Sequence, residues 1–297
     1  MNIEQLNADY GIADKAKFVE GKGGFPVIEI NNEHARAVIS LYAGQVLSFQ
    51  PVGQKELMFV SNNAYFQSGK AIKGGAPVCW PWFGPDPEGK GRPNHGFVRN
   101  RLWDMRSLIS TQDGSTQVIM GLVDTPETRS IWNYSFDLAI AITVGSSLTI
   151  ELITRNTGQQ PFEITQALHS YFSVGDITQV QVLGLEDKSY IDKVDDGKQK
   201  TQTGAVTFTQ ECDRIYLDVP SELIIDDSAW DRQIKVTATN SKTAIVWNPW
   251  SEISVNMADL SDKDYQSFVC VETANAANEI IQISPDNEYK MTANYQC

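Results

Sequence analysis

The chain has 297 residues, 41% of them apolar and 21% charged, and a formal net charge of −13. That length and apolar fraction allow a sizeable core and exclude a disordered chain, and β folds of this size are commonly one domain. The acidity excludes a nucleic-acid partner, because neutralising phosphates requires a basic face.

Residues 1 to 24, with their glycines, lysines and aspartates, are expected to form a loosely docked leader before a single domain over 25 to 297. Short β-rich runs then recur at Val27 to Ile30, Ala37 to Leu41 and Val118 to Val123. Between Phe136 and Thr154 the apolar residues alternate on either side of Gly145-Ser146-Ser147, which predicts a hairpin. Further strands are expected at Gln179 to Leu183, Ala205 to Phe208, Ile234 to Thr239, Ala244 to Trp247 and Glu288 to Ala293. Asp113-Gly114, Asn156-Thr157-Gly158 and Asp196-Gly197 are turn signals between runs. One helix is predicted, over Asp259 to Phe268, with Ser261 as its N-cap. The whole reads as all-β and antiparallel in two sheets, with sandwich and barrel both open on periodicity alone.

The amino terminus lacks a basic segment followed by an apolar core, and no apolar run reaches about 18 residues. The expectation is a soluble, cytoplasmic monomer without membrane contact. Cysteines 79, 212, 270 and 297 show no CxxC spacing, which argues against a zinc site or a disulfide framework.

The densest information lies in Lys73-Gly74-Gly75-Ala76-Pro77-Val78-Cys79-Trp80-Pro81-Trp82-Phe83-Gly84-Pro85 and Asn94-His95-Gly96-Phe97-Val98-Arg99. Three prolines and paired glycines exclude a long helix or a central strand, so a rigid loop system is expected. Trp80, Trp82 and Phe83 either plug one end of the fold or present aromatic faces to a ligand. His95, Arg99 and Lys73 on such a loop suit an anionic polar ligand. Of the three histidines, His34 falls in a turn and is expected to be solvated, whereas His169 sits where a strand ends. Glu272 interrupts the apolar run Phe268 to Ala274, so its carboxylate is either paired internally or set to a task. Asp213 between Cys212 and Arg214 is less distinctive on position alone.

The two loop blocks resemble signatures of the glucose-6-phosphate 1-epimerase (hexose-6-phosphate mutarotase) branch of the aldose 1-epimerase family. Later blocks resemble it in order: Leu168-His169-Ser170-Tyr171-Phe172 with Asp176-Ile177, Glu211 to Tyr216, Val246-Trp247-Asn248-Pro249-Trp250 and Cys270-Val271-Glu272. The resemblance implies the large antiparallel β-sandwich of galactose mutarotases and a cofactor-free isomerase of a hexose 6-phosphate. Anomer exchange removes the C1 hydroxyl proton and delivers one to the ring oxygen. A base and an acid are therefore expected on opposite sides of the hemiacetal. The resemblance assigns the acid to His169, the base to Glu272 and an assisting contact to His95. It assigns substrate binding to Lys73, Asn94, Arg99 and Asp213, and it implies no metal. Lys73 stands where many relatives have Arg and Asn94 where Gln is common, so phosphate geometry and amide reach are the points of departure. The alternatives are a non-catalytic carbohydrate-binding protein, an aldose 1-epimerase of unphosphorylated sugars, and a glycosidase. The last normally needs two flanking carboxylates, whereas these blocks offer one carboxylate and imidazoles.

Overall fold

The computed structural model describes residues 2–297. Nearly all regular structure is antiparallel strand, in two large sheets and two small ones. A four-stranded sheet runs in sequence order through β1 (Ala16–Glu20), β2 (Pro26–Asn31), β3 (Ala35–Ser40) and β4 (Gln45–Pro51).

The nine-stranded sheet begins with β16 (Val206–Thr207), β13 (Val180–Leu183), β18 (Glu222–Asp227) and β19 (Arg232–Thr239). It continues with β23 (Glu288–Gln296), β9 (Leu148–Asn156), β8 (Phe136–Val144), β7 (Thr116–Val123) and β6 (Asp104–Ser110). The predicted hairpin is β8–β9, paired from Phe136↔Asn156 to Val144↔Leu148. The eight-stranded sheet runs β15 (Lys198–Thr201), β14 (Ser189–Asp192), β17 (Cys212–Leu217), β20 (Thr243–Asn248), β21 (Phe268–Asn275), β11 (Gln166–Leu168) and β5 (Val78–Cys79). In this sheet β12 (Tyr171–Ser173) also pairs with β21, and a separate two-stranded sheet joins β10 (Phe162–Ile164) to β22 (Ile281–Ile283).

The large sheets pack face to face, which settles sandwich over barrel. One continuous core contains Val246, Val269 and Val271 of the eight-stranded sheet together with Ile150, Met291 and Tyr295 of the nine-stranded one. Two polar bonds cross this core: Trp80 Nε1 donates to Thr154 Oγ1 at 2.9 Å, and Ser170 Oγ lies 2.6 Å from Tyr295 Oη. Such satisfied groups fix the alignment of the sheets without leaving a buried donor unpaired.

Two local expectations are corrected. The amino-terminal stretch is docked: α1 (Ile3–Tyr10) is capped by Asn2, and β1 pairs with β2 from Ala16↔Ile30 to Glu20↔Pro26. Phe18 of β1 is 1% exposed, and its amide and carbonyl both bond the Asn7 side chain at 2.8 Å, so α1 supplies the outer edge of β1 with a partner. The helix expected over Asp259 to Phe268 is absent. Asp264 turns back to accept from the Ser261 amide and from Ser61 Oγ, leaving only a single tight turn at Asp264–Ser267, while a short helix forms earlier, at Trp250–Ser254.

Candidate active site

The site lies on the face of the eight-stranded sheet turned away from the sandwich core. Strand period places Cys270, Glu272 and Ala274 on that face, and Val269 and Val271 on the core side. Across the sheet, one row joins Asp213, Trp247, Cys270 and Tyr171, and the row beside it joins Ile215, Ile245 and Glu272. The second row ends on His169. Leu168 pairs with Thr273 and Tyr171 with Cys270, so the register runs unbroken through the gap between β11 and β12 and sets His169 opposite Glu272. Directly opposed strand residues have neighbouring side chains, and the His169 Nδ1 to Glu272 Oε1 distance is 3.3 Å.

The glycine-proline loops close the rim. Gly74 (φ 114°) and Gly75 (φ 65°) press so closely on the backbone of Phe59 and of Val46 that a Cβ at either would collide. That approach delivers Gly75 O to the Tyr171 amide at 2.8 Å and holds Lys73 at the pocket edge. Gly96 similarly sits against the Trp80 carbonyl. Next to it His95 takes φ 65°, donates its amide to Gly84 O at 2.7 Å and accepts from the Gly84 amide on Nδ1 at 3.3 Å. A neutral imidazole accepting on Nδ1 carries its proton on Nε2, so His95 is a hydrogen-bond donor at its free nitrogen.

The resulting cavity measures about 630 Å³. Its walls bring together all seven residues singled out from the sequence: Lys73, Asn94, His95, Arg99, His169, Asp213 and Glu272. Trp80 and Trp82 are core, at 0% and 3% exposure, and only Phe83 of that trio reaches the cavity. His34 is half-buried, with Nε2 2.7 Å from Asp113 O. Sequence reasoning missed Lys193, Tyr171 and Trp247. The two aromatics stood inside the quoted blocks, and their alternation with His169 and Asn248 was the available signal. Lys193, on the turn after β14, carried none.

Burial and charge dominate the electrostatics. Burial raises the Glu272 carboxyl well above the usual range, Asp213 adds to this, and Arg99 partly offsets it. Burial also lowers the His169 imidazole well below its ordinary value, with His95, Arg99 and Lys73 adding. His95 is held down to about 3 by burial, then by Arg99 and Lys73. Asp213 is pushed up to about 6 by burial, which outweighs the attraction of Lys193. Although His169 and Glu272 are close, His169 Nδ1 and Glu272 Oε2 have no aligned hydrogen-bond partner. Lys73 lies 3.6 Å from Asp259, and Arg99 donates to Asn94 O at 3.1 Å. The pocket lining thus holds three cations, Lys73, Arg99 and Lys193, against the carboxylates of Asp213 and Glu272, with Asp259 as a third carboxylate paired to Lys73, inside an acidic protein.

The expectation of acid and base on opposite sides of the hemiacetal is not what the sheet provides. His169 and Glu272 are neighbours on one wall. The ring oxygen and the anomeric hydroxyl hang from the same carbon, so adjacent groups can serve both.

Architecture and pocket together define a galactose-mutarotase-type sandwich. A galactose mutarotase related enzyme from Lactobacillus acidophilus superposes with a TM-score of 0.73 at 14% identity, covering 91% of this chain and 97% of that one. A crystal structure described as a "putative mutarotase" from Salmonella typhimurium gives a TM-score of 0.90 at 34% identity, over 97% of this chain and 95% of the other. Residues 26–296 match the Aldose 1-epimerase family, and the chain belongs to it. It is an isomerase of carbohydrate metabolism. Among its relatives, proteins named "Putative glucose-6-phosphate 1-epimerase" are 40% identical in Escherichia coli K12, over 84% of this chain and 83% of theirs, and 36% identical in Cenchrus ciliaris, over 86% and 79%. No helix among the described residues is long and apolar enough to cross a membrane.

Proposed function

We propose that this epimerase interconverts the α and β anomers of a hexose 6-phosphate, with glucose 6-phosphate as the leading substrate. The observation that carries the reading is the convergence of a buried imidazole–carboxylate pair and three cations in one cavity. Glu272 takes the C1 hydroxyl proton and His169 protonates the ring oxygen. After rotation about C1–C2 the aldehyde recloses on its other face and the proton returns. Over the cycle the pair holds one proton, on His169 before opening and on Glu272 after it. Burial favours the uncharged arrangement, which is the one that follows opening.

His95 donates from Nε2 to the ring-oxygen side, and Asp213 and Asn94 receive sugar hydroxyls. Lys73 and Arg99 bind the phosphate. Burial is the main cause that holds His169 down; a bound phosphate dianion offsets the smaller contributions of Arg99 and Lys73, and so favours the protonated imidazole that opening requires. Phosphate is thereby recognised in turnover as well as in affinity. The same reading has the chain working as a cytoplasmic monomer.

Anomer-exchange NMR on glucose 6-phosphate, galactose 6-phosphate and free glucose tests this. Faster exchange of the phosphorylated sugars is expected. Equal acceleration of free glucose would remove the phosphate assignment, and no acceleration of any of the three would return the chain to the class of sugar-binding proteins.

A further inference from the structure

Cys270 has no part in the reaction just described, yet it lies on the same face of β21 as Glu272, two residues away and fully buried against Tyr171, Leu260 and Phe268. A ring nitrogen of His169, the Cys270 Sγ and a Glu272 oxygen all lie within 4.8 Å of one another. We propose that these three side chains form an inhibitory site for a soft divalent cation of the zinc or cadmium class.

The geometry is close to what such an ion asks for. A tetrahedral zinc with bonds of about 2.0–2.3 Å spaces its ligand atoms roughly 3.3–3.7 Å apart. The His169–Glu272 separation of 3.3 Å already fits, and the thiol closes the set by moving about 1 Å. The strand register supplies this arrangement: His169 is across from Glu272, and Cys270 is the next residue of β21 on the same face.

A second observation points to a ligand. Glu272 is 1% exposed and its Oε2 has no partner, and the neighbouring His169 Nδ1 is also unpartnered. Buried polar atoms normally find partners, so these lone pairs mark a place where a proton or a cation is received. The nitrogen, sulfur and oxygen donor set selects zinc or cadmium over magnesium or calcium, which take oxygen ligands. Water completes the tetrahedron at the fourth position, where it excludes the sugar.

On binding, the Cys270 thiol proton leaves to solvent, as does any proton shared by His169 and Glu272. The thiolate and carboxylate then balance the dication, so it sits beside Lys73 and Arg99 without adding net charge. With both proton-transfer groups coordinated, the sugar can neither lose nor gain its proton. The ion inhibits by occupying the acid and the base at once.

The test is to titrate the purified protein with zinc chloride and, separately, cadmium chloride. Inhibition reversed by a chelator and relieved by excess sugar phosphate is expected, with a cadmium–thiolate charge-transfer band in the ultraviolet. Cys270→Ala should keep its basal turnover, lose the band and need about 10- to 100-fold more zinc for the same inhibition. Cys297→Ser, which changes the one half-buried cysteine, should leave the band and the zinc sensitivity intact. If Cys270→Ala does not fold, Cys270→Ser serves, with the same loss of band expected. The band and calorimetric binding are read without turnover, so they stand apart from the assigned reaction. Unchanged zinc inhibition in the Cys270 variants, or absence of the band in the unmodified protein, overturns the proposal.

Discussion

Two buried ionisable pairs in this molecule are built to opposite ends. Asp227 and Arg232, 0% and 7% exposed, lie 3.4 Å apart at the end of the β18–β19 hairpin. Both Asp227 oxygens accept from the Gly175 amide at 3.2 Å, while Arg232 also donates to the carbonyls of Glu56 and Ser173. His169 and Glu272 are as close and nearly as buried, yet each keeps an unpartnered atom. A closed network makes a buried pair structural, and an open one leaves proton-transfer capacity in a dry place. Burial alone does not separate the two. The count of satisfied lone pairs does.

The contrast is most exposed to failure at the open pair. Glu272→Gln and His169→Ala should each lower anomer exchange by about 10²–10⁴ while leaving the melting transition in place or slightly higher. A large loss of Tm in Glu272→Gln would make that pair structural too. Arg232→Ala should do the reverse, costing about 3–5 kcal/mol in a denaturant titration because it strands Asp227, with the KM of surviving folded protein little altered. Arg99→Ala comes next: losing a charge-assisted bond of about 1.5–3 kcal/mol should raise KM for glucose 6-phosphate roughly ten- to hundredfold and affect free glucose far less.

The smallest effect is a pH signature at Asp213. Its carboxyl is raised to about 6 in the folded chain, so the folded state binds the proton more tightly than the unfolded one. Stability is therefore lost as pH rises from the unfolded value near 4 through about 6. Asp213→Asn should raise Tm at about pH 8, leave it unchanged at about pH 3, and remove the part of the KM profile that rises as pH falls through 6. A Tm gain that is the same at both pH values would show that the carboxylate is not titrating there.

Much of the sandwich was legible because half-buried strands write their period into the chain, and β8–β9 is the clearest instance. The amino-terminal strand was not. Its outer partner is the Asn7 side chain in place of another strand, an interaction that leaves no periodic trace. The helix was misplaced because the Ser261–Asp264 contact, which reads as a helix start, is followed by only one tight turn before β21 begins at Phe268. In the pocket, the loop and strand blocks named seven wall residues, yet residue type could not say that His169 and Glu272 share a wall. That follows from the pairing of β11, β12 and β21, which joins segments far apart in sequence. Lys193 was invisible for the same reason, since a lysine on a turn looks alike whether it meets solvent or a cavity.

The unbroken register across β11, β12 and β21 also limits how this lineage can change. With a side-chain period of two, inserting or deleting one residue in β21 would turn Glu272 into the core and Val271 into the pocket. Within β21, variation is confined to replacement, and any change of length must lie beyond the strand's ends.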